Sequence, residues 1–109
     1  MIQWSDFEKV EMRVGTVLQV EAFSKARCPA YKLLVDLGEH GIKRSSAQIT
    51  DLYEPDTLKG SQVIVVVNFP PKQIADFMSE CLVLGVVGDP KGVVLLQPQQ
   101  AVPNGLRIG

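Results

Sequence analysis

The chain has 109 residues, 46% of them hydrophobic, which is enough for one domain with its own core and leaves no room for a second. Lys plus Arg number 11 against 12 Asp plus Glu, a formal charge of -1. That balance excludes the general cationic excess of a strongly basic nucleic-acid binder, though not a local patch.

Ser5, Asp6, Phe7 and Glu8 read as a capping box, with Ser5 accepting from the Glu8 N–H, and predict a short helix. From Arg13 to Ala22 the period changes to that of a strand, with Val14, Leu18 and Val20 facing inward. Gly15 inside this strand marks a bulge or bend, as a strand serving two parts of a curled sheet needs. After a loop from Phe23 to Ala30, Tyr31 to Leu37 forms a second strand. The turn Gly38-Glu39-His40-Gly41 leads into a third, Ile42 to Gln48, as a hairpin. Pro55 at a first helical position and Gly60 as a stop place one helical turn over Glu54 to Leu58.

Gln62 to Val67 is a β-branched run and predicts a fully buried strand. Pro70 and Pro71 lack N–H groups and end its ladder, and Lys72 to Phe77 is expected to make another brief helical turn. Leu82 to Val87 and Val93 to Gln97 are the last clear strands, joined across Gly88 to Gly92. The tail from Pro103 closes with a turn and a short strand. Short strands separated by Gly/Pro turns predict an all-β fold, a five-stranded Greek-key barrel of the OB type, with an open sandwich as the alternative.

Side-chain catalysis needs a base matched to a nucleophile, paired carboxylates or a metal cage. His40 is the lone histidine and sits in a Gly-flanked turn, Ser45-Ser46 has no local base, and the carboxylates are dispersed. GVVGDPKG lacks the lysine-hydroxyl order of a phosphate loop. Cys28 and Cys81 have no metal-ligand spacing and are expected to be reduced thiols. The acidic N-terminal segment does not have the build of a signal peptide, and no apolar run approaches the ~20 residues that span a bilayer. A cytoplasmic, non-catalytic protein with no cofactor or metal is expected.

Binding features are better represented. Lys25, Arg27, Lys32, Lys43, Arg44 and Lys72 lie in or beside the second and third strands and the Pro-Pro loop, which border the usual ligand face of an OB barrel. They suit phosphates or acidic groups, or they are solvated charges balanced by Asp36, Glu39, Asp51 and Asp76. Ser45, Ser46, Ala47 and Gln48 are small or polar and leave room for a ligand. Phe69, Phe77 and Met78 offer apolar contact, with core packing the expected fate of Phe69 and exposure that of Met78.

The stretches DFEKVEMRVGTV, KLLVDLG, IKRSSAQIT, VNFPPKQIADFMSECLVLG and VPNGLRIG together resemble the CsaA-type proteins, stand-alone members of the tRNA-binding-domain superfamily. That superfamily also takes in the C-terminal extension of methionyl-tRNA synthetases and a domain of the phenylalanyl-tRNA synthetase β subunit. The resemblance covers essentially the whole chain and implies an OB-fold barrel in a symmetric homodimer. Trp4, Phe7 and the VPNGLRI tail supply apolar surface for such pairing. The resemblance also implies a division of function: synthetase-linked relatives bind tRNA, whereas CsaA-type proteins are export-related chaperones of unfolded precursor polypeptides.

Position by position, Lys32 matches the family's lysine at the start of strand two, Ser79-Glu80 the pair that opens strand five, and Lys72 the basic position after the Pro-Pro loop. Asp76 stands where relatives usually have Gly, which bears on the turn. Cys81-Leu82 replaces the Gly-Met of tRNA-binding members; both departures lean towards the chaperone branch. The expected ligand residues are therefore Lys32, Lys43, Arg44, Ser46, Gln48, Lys72, Gln73, Met78 and Ser79. Their expected occupant is an unfolded or precursor polypeptide, with structured tRNA as the alternative.

Overall fold

The computed structural model describes residues 1–109, and the architecture is organised around its longest strand, β1 (Met12–Ala22). Its second half pairs with β2 (Tyr31–Asp36) and its first half with β4 (Gln62–Val66), so one strand serves both sides of a curled sheet. With β3 (Ile42–Ala47) and β7 (Leu82–Val83) the antiparallel order is β3-β2-β1-β4-β7. The result is a nearly closed five-stranded barrel of the OB type, as expected. A helical turn, α2 (Pro55–Leu58), sits ahead of β4 and buries Leu58.

The bend in β1 is not where glycine suggested it. The register on β2 slips between Val17 and Gln19, making Leu18 the extra residue of a bulge. The slip exchanges faces. Val17 points into the core before it and Val20 after it, Leu18 is exposed, and Val14 is buried opposite Ile64 on the other face. The expected inward set of Val14, Leu18 and Val20 assumed an unbroken alternation, which the bulge removes. Gly15 instead provides room: a Cβ there would lie 2.4 Å from Val35 Cγ1.

Three further expectations are corrected. The helix α1 (Trp4–Glu8) begins two residues early, and its box is closed by Asp6, whose Oδ2 accepts the Gln3 N–H at 2.8 Å, rather than by Ser5 and Glu8. Lys72 to Phe77 is not helical. It belongs to a hairpin of β5 (Lys72–Ile74) and β6 (Phe77–Ser79), in which Ile74 faces Phe77. Their separation of three residues imitates a helical face, but across a tight turn it makes a cross-strand pair. Ala75 takes the left-handed conformation there, with φ 51°, so Asp76 does not have to. The last strands are also shorter than expected. Chain pairing resumes after β7 only in β8 (Gly85–Val86) and β9 (Val94–Leu95), and the tail forms a single bridge from Arg107 to Arg13.

The core consists of Val17, Leu33, Val35, Leu37, Leu58, Val63 and Val65 with their neighbours, and a smaller cluster joins Phe23, Ala30 and Phe77. Closure between β3 and the segment Ser79–Cys81 relies on side chains in place of a full ladder. The Glu80 N–H donates to Arg44 O at 2.8 Å, and Glu80 Oε1 accepts the Arg44 N–H at 2.9 Å. Ser79 Oγ accepts the Ser46 N–H at 3.1 Å, and buried Ser45 donates its hydroxyl to Cys81 O at 2.9 Å. Burial pushes the Cys81 thiol up to about 11, as suits a small apolar residue of the interior.

Glu80 gives this seam a pH dependence. Its carboxyl is held below the ordinary value of 4.5, first by the Arg44 backbone N–H and then by the Arg44 side chain. A carboxylate depressed by folding stabilises above its unfolded value and loses that contribution as pH falls through the folded one. Because the Arg44 contacts are solvent-exposed and screened, Glu80→Ala is expected to cost no more than about 1 kcal/mol at neutral pH. Urea titrations at pH 7 and at successively lower values should show the gap to wild type closing below about pH 4.5. A gap independent of pH would contradict this account.

Candidate ligand-binding face

Alternation along β2 and β3 sorts their side chains. Leu33, Val35, Ser45 and Ala47 point to the core, whereas Lys32, Leu34, Arg44 and Ser46 point away from it. Register then builds two rows across three strands: Gln19, Leu34 and Arg44 in one, Glu21, Lys32 and Ser46 in the next. The β5–β6 hairpin lies beside the end of this face. Lys32 Nζ stands 4.7 Å from the Phe23 ring centroid and 5.4 Å from that of Phe77. The two rings meet edge to face at 5.5 Å, and the Arg44 guanidinium lies 5.7 Å from Phe77. These separations are those of cation–aromatic contacts, so the rings hold Lys32 in place and share its charge.

A hollow of about 230 Å³ opens over this arrangement, lined by Gln19, Glu21, Lys32, Leu34, Arg44 and Phe77. A second, of about 440 Å³, lies across the seam and is lined by Ser46, Phe69, Pro70, Lys72, Ser79 and Leu82 among others. Both are shallow and mix charge with apolar surface, which suits an extended polymer better than a small metabolite.

The expected site residues divide. Lys32, Arg44, Ser46, Lys72 and Ser79 line the two hollows. Gln48 follows the end of β3 and is exposed, with the same alternation as Arg44 and Ser46. Lys43 has the opposite alternation, paired with core-facing Val35, and is separated from the face by the sheet itself. Gln73 and Met78 face each other on the outer side of the hairpin, and Gln73 Nε2 donates to Ala75 O at 2.8 Å, bracing the turn. Met78 is half-buried rather than exposed, whereas Phe69, expected in the core, is 55% exposed at the rim of the larger hollow. The two prolines explain Phe69, because they pull its segment off the sheet before the ring can turn inward.

Of the basic residues near the face, Lys25 and Arg44 are ion-paired, whereas Arg27, Lys32, Lys43 and Lys72 are not. Lys25 Nζ lies 2.8 Å from Asp76 Oδ2, and Arg44 Nε lies 3.3 Å from Glu80 Oε1. Asp36, Glu39 and Asp51, the other expected counter-charges, form no ion pair. Sequence reasoning missed Phe23, Gln19 and Glu21. Counting pairs outward from the loop would have found them, since Ala22 opposite Tyr31 places Glu21 opposite Lys32.

No helix is long and apolar enough to cross a membrane, and no group of three or more His, Cys, Asp or Glu is placed to hold a metal. The fold closely matches crystal structures of two chaperones. That of CsaA from Bacillus anthracis is 51% identical with a TM-score of 0.94, covering 100% of this chain and 99% of that one. That of the CsaA chaperone from Picrophilus torridus is 48% identical, also at 0.94, over 100% of both chains. The methionine–tRNA ligase of Methanococcoides burtonii is 34% identical over 108 residues, 99% of this chain but only 16% of that enzyme. Residues 12–107 match the family described as a putative tRNA binding domain, and the chain belongs to that family.

Proposed function

We propose that the chain is a non-catalytic, CsaA-like binding protein that holds unfolded or precursor polypeptides on the β1–β2–β3 face and its hairpin, keeping them competent for export. The observation that carries this reading is the mixed character of the face, where two of its cations are neutralised and lie beside exposed apolar ground. Asp76 accompanies Lys25 and Glu80 accompanies Arg44, beside apolar ground from Phe69, Pro70 and Leu82. Such a surface suits mixed peptide chains, whereas a polyanion gains most from free cations. Full-length similarity to two chaperone structures supports the same reading. We place the protein in the cytoplasm as a homodimer, paired through the open apolar ground at α1, where Trp4 is 80% exposed and a hollow of about 910 Å³ opens. Two faces on one body gain avidity through effective concentration.

A second reading, tRNA binding, is favoured by the family itself and by Lys32 and Lys72 on the face. One experiment separates the two: titration of unfractionated tRNA and of reduced, alkylated lactalbumin into the same sample, with the native mass measured by light scattering. Polypeptide binding that varies less than about threefold between about 50 and 200 mM salt is expected, since few counterions are released. No polypeptide binding at high micromolar protein would sink the first reading. If tRNA is the occupant, Lys72→Ala should weaken all tRNAs alike and flatten the salt slope by roughly one unit.

A further inference from the structure

At the contact between the Phe23–Ala30 loop and the β5–β6 turn an acid is hydrogen-bonded to one cation and lies near a second, each contributed by a different segment. Lys25 comes from the loop, Lys32 from β2 and Asp76 from the turn. Lys25 Nζ is 2.8 Å from Asp76 Oδ2, and the rings flanking Lys32 belong to the same two segments, Phe23 on the loop side and Phe77 next to Asp76. The fields of Lys25 and Lys32 both act on the Asp76 carboxyl and hold it below its ordinary value, the Lys25 hydrogen bond first. The pair is exposed, at 67% and 50% for the two side chains, so it contributes little to stability and either partner is free to exchange for another ion.

We propose that Asp76 is a specificity-determining residue: its carboxylate occupies the place beside Lys25 and Lys32 that a phosphate group would otherwise take, and so biases the face against nucleic acid. A phosphodiester and a carboxylate compete for the same ammonium group. A nucleic acid approaching this corner must displace an intramolecular partner already within hydrogen-bond reach, and it meets a negative charge if it does not. A polypeptide that uses the apolar rim and Lys32 pays no such penalty. The inference rests on the proposed reading of this face as the ligand surface and adds the residue that sets its selectivity.

Binding of unfractionated tRNA by the full chain, measured by fluorescence anisotropy across a salt series, tests it. Asp76→Asn keeps the side-chain shape and should fold normally. It is expected to bind tRNA more tightly than wild type at low salt, with a log–log slope steeper by about 0.9 for the one added phosphate contact. That slope makes its advantage shrink about threefold between about 50 and 200 mM salt. The same substitution in a Lys25→Ala background should not steepen the slope, because the cation it frees is gone. A gain equal in both backgrounds, or an equal gain from Asp56→Asn on α2, would reduce the effect to net charge and overturn the proposal. Failure of Asp76→Asn to bind tRNA any better also overturns it; retained binding of reduced, alkylated lactalbumin would then leave the proposed function standing, while loss of both ligands would remove both.

Discussion

Phe77→Ala is expected to lower the stability of the barrel by about 3 kcal/mol and to abolish binding at the face, whichever polymer occupies it. The ring is buried, packs edge to face on Phe23 at 5.5 Å, and lies within reach of both Lys32 and Arg44. Truncation empties the small cluster formed with Phe23 and Ala30, where few neighbours are available to collapse into the space. It also releases Lys32 from one of its two aromatic contacts and frees the hairpin from the face. Phe77→Leu separates these effects. A leucine restores most of the volume, so denaturation should return close to wild type while ligand binding stays weakened. Full recovery of binding by leucine would show that the ring serves only to fill space.

Gly15→Ala should cost about 3 kcal/mol, at the upper end for an overpacked core. The added Cβ would stand 2.4 Å from Val35 Cγ1, 2.9 Å from Leu37 Cδ2 and 3.1 Å from Asp36 O. Val35 and Leu37 are both fully buried, and one of the three obstructions is backbone, so the collision cannot be relieved by swinging a side chain into solvent. The glycine is required for room, not for a left-handed conformation, because its φ is not positive. Removing the facing methyls should therefore help. The double variant Gly15→Ala/Val35→Ala is expected to be more stable than the sum of the two single losses, as read from urea midpoints. Strict additivity would place the cost elsewhere.

Much of the barrel was legible because local chemistry and tertiary packing agree. The β1 and β2 strands, the β2–β3 hairpin across Gly38–Gly41, the Pro55 turn with its stop at Gly60 and the buried β4 each follow from a pattern that the fold then uses. The misses share a cause. The bulge at Leu18 and the pairing of Ile74 with Phe77 are decided by contacts between distant segments, which no period within one segment reports. The same limit applies to the ligand face. Lys32, Arg44 and Ser46 could be placed on one side of a strand pair by alternation, and Lys43 excluded, once the core side was known. The Phe23–Lys32–Phe77 stack and the Lys25–Asp76 pair join residues up to 54 and 51 positions apart, and only the folded chain brings them together.

The bulge at Leu18 bears on how this chain tolerates changes of length. At its start β1 is held on one edge by β4 and on the other by the Gly105–Ile108 tail; from Thr16 onward β2 pairs with it on both sides of the bulge. Deleting Leu18 would leave Val17, Gln19, Val20 and Glu21 in regular alternation on their present β2 partners, so the faces would be kept and only the local bend lost. Inserting a residue upstream would force β4 and the tail to slip together. Changes of length are therefore confined to connections such as Phe23–Ala30 and Gly88–Gly92 and, within β1, to the unpaired Leu18, the one position where the spine can lose a residue without turning over the ligand face.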